Sequence, residues 1–566
     1  MSREDDDGLL AGIDASAMMG HLEELARWTK HAGSDEEKNS LDYIKATLES
    51  YGYRTSLIRH PAFISLPVDA RIVIDGMTIA CITHSHARST PEGGLTGRLV
   101  HVGRGSASDF ARDDISGAIV LVEGLVSSGV TSRASAAGAI AQIHLSPHEQ
   151  PHEGGVSPVW GSPSIDDLQL MPSTAVLSIG RTAGRSLVDA ALAGSIDVTV
   201  HATVDTGWRL IPLLEAHMPT VKDICEEPFV LLSGHHDTWH RGVMDNGSAN
   251  ALMLEAARIL AQVRGQWKRA LRLCFWSGHS HGRYAGSTWY ADNRFEEMER
   301  RCIANVNLDS VGGVGATMLE NTRSDLSTGS LADDAILEIT GQRRRGLPIQ
   351  RNCDMSFWGV GIPAMFGLLS EQAPENIDFD IPCGWWWHTP DDLIDKISPD
   401  FMARDTKIVA RVLWRLLAEE RLPLRFKGYL DIIGRTLTAL TPAHRQDLDL
   451  EPVLLKLSAL ESLLLEFESS TETGSAHDDT AIKLSRVFTN LEKVGGDRFS
   501  HGLVQAAPVV QDEASTWPVL GPFHLANMTP SEEKDWYFIL QSAYRSRNRI
   551  NAALAEAITI LNSSRT

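Results

Sequence analysis

The 566-residue sequence predicts an α/β protein whose mostly parallel sheet is flanked by helices. Between residues 206 and 421, short apolar runs alternate with segments of helical periodicity, a pattern typical of a sheet covered on both faces. Residues 62–205 instead carry short β-type runs separated by Gly, Ser and Pro, and residues 422–566 are helical almost throughout. We therefore expect three domains: residues 1–61 with 206–421, an inserted β-rich domain at 62–205, and a C-terminal helical domain at 422–566.

The composition is that of a globular protein too long for a single core. A formal net charge of −21 argues against nucleic-acid binding, which requires a basic face. No apolar run is long enough to cross a membrane, and the acidic N-terminus lacks the apolar segment of a secretory signal. Six cysteines are scattered without a Cys-x-x-Cys pair: Cys81, Cys225, Cys274, Cys302, Cys353 and Cys383. These features together predict a cytoplasmic protein without disulfides.

The first elements are predicted from local signals. Residues 15–52 are expected to be helical, because Ser34 begins a capping motif, apolar residues then follow the helical period, and Gly52 ends the segment. Residues 53–60 read as a short strand.

The inserted segment is expected to have its own small core. Its predicted strands are 71–74, 97–102, 117–122 and 196–202, with a helix at 132–141. Four histidines lie in its predicted loops: His84, His86, His148 and His152. We expect these histidines to be exposed, with a lid or substrate contact as the alternative.

The alternating segment is predicted to contain four strands, at 229–232, 271–276, 303–308 and 363–368. Its predicted helices are 248–263, 285–300, 331–342 and 398–420. In the C-terminal segment, two apolar stripes follow the helical period: Leu457, Leu460, Leu464 and Phe467, and then Ile550, Leu554, Ile558 and Leu561. The polar stretch 470–480 is expected to be a loop, and residues 505–530 are Pro-rich and irregular. Because such stripes must be buried, we expect a homodimer formed through these helices.

Polar residues follow the predicted strands where each strand ends. His235 and Asp237 come after the first strand, Asp245 precedes the following helix, and Asp309 ends the third strand. His388 lies in a later loop. In extended chain, His235 and Asp237 point to the same side, so one can bind a metal while the other orients it. Two imidazoles and two carboxylates are ligands that suit a divalent metal, and we expect zinc, with manganese or iron as alternatives.

Five motifs occur along the chain in the same order as in one known enzyme family: GHHDT, GVMDNGSANALMLEAAR, VNLDSVGG, CDMSFWGVGIP and WWWHTPDDLIDKI. This arrangement resembles the co-catalytic zinc aminopeptidase family that includes glutamate carboxypeptidase II and the transferrin receptor. The resemblance implies that His235, Asp245, Asp309 and His388 bind one or two metal ions. It further implies that Asp245 bridges the ions and that Asp237 lies behind the ligands. Residues 62–205 resemble that family's protease-associated domain, and the C-terminal helices its dimerisation domain.

One loop departs from the family pattern. Residues 277–287 read SGHSHGRYAGS, where the family has two adjacent glutamates, the first a general base and the second a metal ligand. Alignment from the preceding strand puts His279 and Ser280 there, and alignment from Gly286 puts Ser280 and His281 there. Histidine can accept a proton near neutral pH or bind a metal. Three alternatives follow: two metals with a histidine ligand, one metal with a histidine base, or a site without activity.

The predicted function is a metal-dependent hydrolase that cleaves an amide-type C–N bond in a peptide or a small-molecule amide. His279, His281 and Asp237 are the candidate catalytic residues. The alternatives are a non-peptidase metal enzyme with amidase, acyl-transfer or lyase chemistry, and a catalytically inactive interaction protein on the same fold. Four residues are candidates for binding substrate: Arg283, Tyr284, Asp354 and Trp387. Arg283 can hold a substrate carboxylate, and Trp387 can offer a flat aromatic wall.

Overall fold

The computed structural model describes residues 8–224, 226–347, 349, 351–374, 381–471, 473–503, 517–529 and 534–564. Cys225 and residues 505–516 of the Pro-rich stretch lie outside this description, as does most of the N-terminal stretch considered as a secretory signal. Among the described residues, no helix is both long and apolar enough to span a lipid bilayer.

The segment predicted as one helix over 15–52 forms two helices, α1 (Ala15–Leu25) and α2 (Asp35–Ser50). Each has its own N-cap. The Asp14 side chain accepts hydrogen bonds from the N–H groups of the first turn of α1, and Ser34 accepts one from the N–H of Glu37. The predicted start at Ser34 is therefore confirmed. The single-helix prediction is wrong because the chain turns before Ser34, where Gly33 has φ +82°.

A long antiparallel ribbon connects the two sheet regions. Strand β1 (Arg54–Ile74) pairs with β8 (Asp197–Met218) from Arg54 opposite His217 to Val73 opposite Thr199. The predicted strand 53–60 is therefore too short, because β8 offers hydrogen-bonding partners along nearly the whole length of β1. The predicted boundaries after residues 61 and 205 fall inside these continuous strands.

The inserted segment contains a second parallel sheet region. The strands β4, β5, β6 and β7 are parallel neighbours, β4 also pairs with β8, and β3 pairs with β7. The strands are β2 (Met77–Ala80), β3 (Ile82–Thr83), β4 (Leu95–His101), β5 (Ile119–Glu123), β6 (Ala141–Leu145) and β7 (Ala175–Ile179). The helices are α3 (Ala107–Phe110), α4 (Ser128–Ala136) and α5 (Arg181–Ala193).

The prediction of a helix at 132–141 is wrong at its C-terminal end. Helix α4 ends at Ala136, Gly138 turns the chain with φ +81°, and the fully buried strand β6 follows. Strands β6 and β7 are short and buried on both faces. Such strands lack the alternation of apolar and polar residues from which a strand is predicted.

The central region has the strand order β12-β11-β9-β10-β8. Its strands β9 (Phe229–His235), β10 (Ala270–Trp276), β11 (Cys302–Asp309) and β12 (Ala364–Leu368) are parallel, and β10 pairs antiparallel with β8. Every residue of β9, β10 and β11 is buried. The predicted mostly parallel sheet is therefore confirmed, and the carboxyl ends of β9 and β11 meet at one edge.

Five helices accompany this region: α6 (Ala249–Gln262), α7 (Ala285–Asn293), α8 (Phe295–Arg301), α9 (Leu326–Thr340) and α10 (Pro399–Ala418). The helix predicted at 285–300 is divided at Arg294, whose φ of −119° and ψ of +19° are not helical. Helix α9 begins five residues before the predicted position 331.

The C-terminal segment is helical, as predicted. Its helices are α11 (Lys427–Ala439), α12 (Pro442–Asp447), α13 (Glu451–Ser469), α14 (Ser475–Lys493), α15 (Gly521–Met528) and α16 (Trp536–Ser563). Helix α16 packs against α13, α14 and α15. The stripe residues Leu457, Leu460 and Leu464 of α13 and Ile550, Leu554 and Leu561 of α16 are buried in the core of the same chain. These stripes consequently supply no argument for a dimer.

A buried ion pair joins this segment to the central sheet. Arg269, which directly precedes β10, donates to Asp478 of α14 over 2.6 Å and 2.7 Å. We expect Asp478→Ala to lower the free energy of unfolding by about 3–5 kcal/mol, because it leaves a buried guanidinium without its carboxylate. Chemical denaturation measures this difference. The control, Asp479→Ala, removes the exposed neighbouring carboxylate and should change stability by no more than about 0.5 kcal/mol. Equal losses in the two variants would contradict a role for the ion pair.

Candidate active site

The four residues predicted as metal ligands meet around Asp245. His235 ends β9 and Asp309 ends the neighbouring strand β11, and His235 Nε2 lies 3.6 Å from Asp309 Oδ1. Asp245 Oδ1 lies 2.9 Å from His235 Nε2, and Asp245 Oδ2 lies 2.9 Å from His388 Nε2. One carboxylate therefore stands between two imidazoles that are 153 residues apart in the sequence (388 − 235).

Asn246 holds the two strand ends together. Its side-chain amide donates to the carbonyl oxygens of His235 (3.2 Å) and Leu308 (3.0 Å), and its Oδ1 accepts from the N–H of Ser310 (3.1 Å). The buried side chain thereby satisfies backbone groups of both β9 and β11. The relative position of His235 and Asp309 follows from these bonds.

Asp392 supports Asp245 from behind. Its carboxylate accepts hydrogen bonds from the backbone N–H groups of Met244 (2.8 Å) and Asp245 (3.0 Å). Burial raises the pKa of the Asp392 carboxyl to about 7. The turn that carries Asp245 is thus held by a carboxyl group that is itself fully buried.

Both imidazoles are oriented by backbone carbonyl oxygens. His235 Nδ1 lies 2.9 Å from the Asp237 carbonyl oxygen, and His388 Nδ1 lies 2.8 Å from the Glu153 carbonyl oxygen. A carbonyl only accepts, so Nδ1 of each ring carries a proton, and Nε2 is left to face Asp245. Asp237 therefore orients His235 as predicted, but through its main chain and not through its carboxylate.

The Asp237 carboxylate holds the loop in which the family's glutamates are missing. It accepts the backbone N–H groups of His279 (3.0 Å) and Ser280 (2.9 Å). Burial raises the pKa of Asp237, but the His281 imidazole beside it and the charge of His235 outweigh burial and lower the pKa to about 2. The carboxylate is fully buried, so it positions the loop and does not meet a ligand in the cavity.

His279 stands beside the cluster. Its ring stacks on that of His235, with ring centroids 3.7 Å apart, and its Nε2 lies 4.0 Å from Asp309 Oδ2. His235, His279 and Asp309 offer donor atoms that all lie within 4.8 Å of one another. His279 Nδ1 lies 2.9 Å from Asp354 Oδ2, which leaves Nε2 directed toward the cluster.

His281 lies in a different environment. It is buried beside Asp237, with Nδ1 3.6 Å from Oδ2, and its ring packs on Trp239 at a centroid distance of 4.6 Å. Burial lowers the pKa of His281. His281 does not line the cavity, so of the two histidines only His279 faces it.

Asp354 lies behind His279, away from the cavity surface. It is buried, and besides His279 it accepts a hydrogen bond of 2.6 Å from the Ser287 hydroxyl. Asp354 does not line the cavity, so its location does not support the predicted contact with substrate. It is placed instead to orient His279.

A cavity of about 380 Å³ opens over the cluster. Asp245, Asp309, His279 and His388 line it, as do three predicted substrate-binding residues: Arg283, Tyr284 and Trp387. Ten described non-glycine residues have φ in the left-handed region, and five of them line this cavity: Arg283, Tyr284, Ser310, Cys353 and His388. Such backbone conformations concentrate at functional sites.

The inserted segment forms one wall of this cavity. Residues 125–128 and 152–155 line it, and His152 Nδ1 hydrogen-bonds the Trp387 carbonyl oxygen. The Glu153 N–H donates to the His388 carbonyl oxygen over 2.9 Å, which complements the bond from His388 Nδ1 to Glu153. Glu153 was missed from the sequence because its partner is 235 residues away and its neighbours form an irregular Gly- and Pro-containing loop.

The expectation of exposed loop histidines is wrong for His84, His86 and His152, which are buried. They are enclosed because the inserted segment packs against β1 and against the loop that carries His388. Burial lowers the pKa of His84 to about 3 and that of His152 to about 4. These rings are therefore neutral near pH 7.

The electrostatics of the cluster favour a positive charge at its centre. Burial lowers the pKa of His235, but the carboxylates of Asp309 and Asp245 outweigh burial and raise the pKa well above its usual value. Burial raises the pKa of Asp245, yet the adjacent imidazoles of His235 and His388 outweigh burial and lower the pKa well below its usual value. A cation between these groups would satisfy all of them.

The residues fit a divalent metal. His235 Nε2 and Asp245 Oδ1 are buried and 2.9 Å apart, yet neither has a hydrogen-bond partner among the described residues. Two buried polar atoms that lie close together without a hydrogen bond are expected where both atoms bind the same ion.

Comparison with known proteins supports this view of the site. Residues 217–413 match the model of peptidase family M28, and this range contains all four predicted ligands. Residues 217–413 are called the family M28 segment below, after the model that they match. The family M28 segment begins in β8 and extends into α10. The match confirms the predicted resemblance and the prediction of a metal-dependent hydrolase.

Relatives extend beyond the family M28 segment. A probable glutamate carboxypeptidase of Zea mays, VP8, is 24% identical over 528 residues, which cover 76% of this chain and 71% of the relative. Aminopeptidase YwaD of Bacillus subtilis is 25% identical over 417 residues, covering 70% of this chain and 83% of the relative. A solved peptidase M28 precursor from Shewanella amazonensis has a TM-score of 0.60 at 18% identity, covering 75% of this chain and 98% of that one. Its likeness confirms the predicted fold.

Proposed function

We propose that this protein is a zinc-dependent hydrolase that cleaves amide-type C–N bonds in peptides or small amides, with its active site in the cavity above Asp245. The observation that carries the proposal is the convergence of His235, Asp309 and His388 around Asp245, beside one cavity. The match of residues 217–413 to family M28 supports peptide-bond hydrolysis, and a zinc aminopeptidase of Bacillus subtilis, similar at a TM-score of 0.57, supports zinc.

The proposed ligand sets are unequal. His235, Asp309 and His279 would hold one metal position, with Asp245 shared between it and a second position at His388. Among the described residues, only Asp245 and His388 meet at the second position, so it should bind zinc more weakly. Of the alternatives left by the sequence, these contacts favour a histidine ligand, and the intact ligand set argues against an inactive protein.

When bound, zinc polarises the scissile carbonyl and makes water a better nucleophile near neutral pH. Hydrogen bonds within the chain fix the position of the proposed ligand His279. Asp354 orients His279, and Asp237 holds the backbone of His279 and Ser280. A single misplaced ligand would alter the position of the reacting carbonyl, so these supporting bonds matter for the rate.

Tyr284 and Arg283 are proposed to contact substrate. Burial raises the pKa of the Tyr284 phenol to about 12, so the hydroxyl keeps its proton near pH 7. This hydroxyl accepts a hydrogen bond of 3.1 Å from Arg283 and can donate its own proton to an oxygen that gains negative charge during the reaction. The Arg283 side chain on the same wall can pair with a substrate carboxylate.

Removal of metal tests the proposed function. After dialysis against a chelator, the protein should lose hydrolysis of a panel of aminoacyl and N-acylaminoacyl p-nitroanilides, and added zinc should restore it. Protein treated with chelator already saturated with zinc is the control. Hydrolysis that persists in metal-free protein would contradict the proposal, and so would a protein that takes up no zinc. Manganese and ferrous iron, tested in the same way, identify the preferred metal.

We also infer the finer features predicted from the sequence. Separate apolar clusters within the inserted segment support a protease-associated-like domain at 62–205. The five cysteines in the described part of the chain are free thiols, which supports a reducing, cytoplasmic location. Exposed Tyr537 and Phe538 on α16 support a homodimer, whose mass in solution analytical ultracentrifugation would determine.

A further inference from the structure

One carboxylate of the cavity wall lies outside the metal-ligand cluster. Three acidic residues line the cavity, namely Asp245, Asp309 and Glu153, and the first two are engaged with His235. Glu153 comes from the inserted segment. Its Oε2 atom is buried and has no hydrogen-bond partner among the described residues.

The backbone around Glu153 is held firmly. Glu153 exchanges two hydrogen bonds with His388, of 2.9 Å and 2.8 Å, and the preceding His152 hydrogen-bonds Trp387. The following Gly154 packs so closely that a side chain there would meet Val126 at 2.8 Å. The Glu153 backbone is therefore fixed directly beside His388, a proposed metal ligand.

The described residues of the cavity lining include no lysine. The one arginine of the described cavity lining, Arg283, donates to the Ser157 carbonyl oxygen and to the Tyr284 hydroxyl. A buried carboxylate oxygen without a donor is costly, and a charged donor from a ligand would remove that cost.

We propose that Glu153 is a binding subsite for an ammonium group of the substrate. The inference rests on the proposed function, because the metal-ligand cluster positions the scissile carbonyl beside Glu153. Two ammonium groups of a peptide-like substrate can occupy such a position, the α-ammonium close to the carbonyl or the ε-ammonium of a lysine side chain. A charge-assisted hydrogen bond from either group to the cavity side of the Glu153 carboxylate stabilises its charge.

Binding of hydroxamates to the zinc-loaded full-length protein tests this subsite by calorimetry. Leucine hydroxamate carries only an α-ammonium, Nα-acetyl-lysine hydroxamate carries only an ε-ammonium, and Nα-acetyl-leucine hydroxamate carries neither. The test variant is Glu153→Gln, which keeps the shape and removes the charge. The matched control is Glu92→Gln, in an exposed loop of the same inserted segment.

We expect Glu153→Gln to weaken binding of one ammonium probe by at least about tenfold, and of Nα-acetyl-leucine hydroxamate by no more than about twofold. The probe that is weakened identifies the ammonium. Glu92→Gln should bind all three probes like the wild type. Glu153→Asp, which restores the charge, should recover a preference for the same ammonium probe, and this variant decides the question if Glu153→Gln does not fold.

Three results would overturn the subsite. If each ammonium probe binds Glu153→Gln as tightly as it binds the wild type, Glu153 is not an ammonium subsite, and the proposed metal site is unaffected. An equal loss for all three probes would assign Glu153 to the metal centre instead. If no probe binds the wild type, the proposed metal site itself fails, and the subsite fails with it.

Discussion

Replacing Asp245 with asparagine is expected to lower kcat/KM by at least about 10³-fold. The side chain keeps its size but loses the charge that lies 2.9 Å from both His235 Nε2 and His388 Nε2. Without that charge, neither proposed metal position keeps its shared anionic ligand, and stabilisation worth several kcal/mol is lost from the transition state. Steady-state kinetics on the best p-nitroanilide substrate measures the effect, together with zinc content by mass spectrometry.

The control for this variant is Asp479→Asn, the same chemical change at an exposed position on α14. It should retain wild-type kinetics and zinc content. A variant Asp245→Asn that keeps its zinc and more than about a tenth of wild-type activity would remove Asp245 from the proposed site.

Replacing His279 with alanine is expected to weaken zinc binding by more than about 100-fold, because even a group that only orients a ligand contributes about 10–100-fold to metal affinity. His279 stacks on His235 and offers Nε2 within the same group of donor atoms. Competition with a chromophoric chelator measures the affinity. His279→Glu, which restores the carboxylate typical of the family, should recover part of the binding.

His281→Ala is the matched control, because it removes the other histidine of the same loop. That ring packs on Trp239 and does not line the cavity, so zinc affinity should fall by no more than about tenfold. Larger loss in His281→Ala than in His279→Ala would reverse the proposed assignment. Normal zinc affinity combined with lost turnover in His279→Ala would instead make His279 the proton shuttle.

Much of the central sheet could be predicted from the sequence. Strands such as β9 and β11 are apolar runs followed directly by polar residues, so both the strands and the candidate ligands His235 and Asp309 are marked locally. His388 is not at a strand end, so its residue type and not its position marked it as a candidate ligand. Its position 2.9 Å from Asp245 depends on a loop contact that no local pattern encodes.

The sequence could not choose between His279 and His281, because one residue of loop length separates the two alignments. The choice depends on the Asp237 carboxylate, which accepts consecutive N–H groups and directs the His279 ring toward the cluster. Glu153 was missed for a related reason. Glu153 is held at the cavity by hydrogen bonds to a segment that is distant in the sequence. The residues around Glu153 have the composition of an ordinary surface loop.

Anomalous X-ray diffraction at the zinc absorption edge, from crystals of zinc-loaded protein, tests the central claim most directly. We expect a zinc peak coordinated by His235, Asp309 and Asp245, with His279 Nε2 as a further ligand, and a weaker peak between Asp245 and His388. A zinc-loaded crystal with no peak at Asp245, or with His279 turned away from the ion, would contradict it.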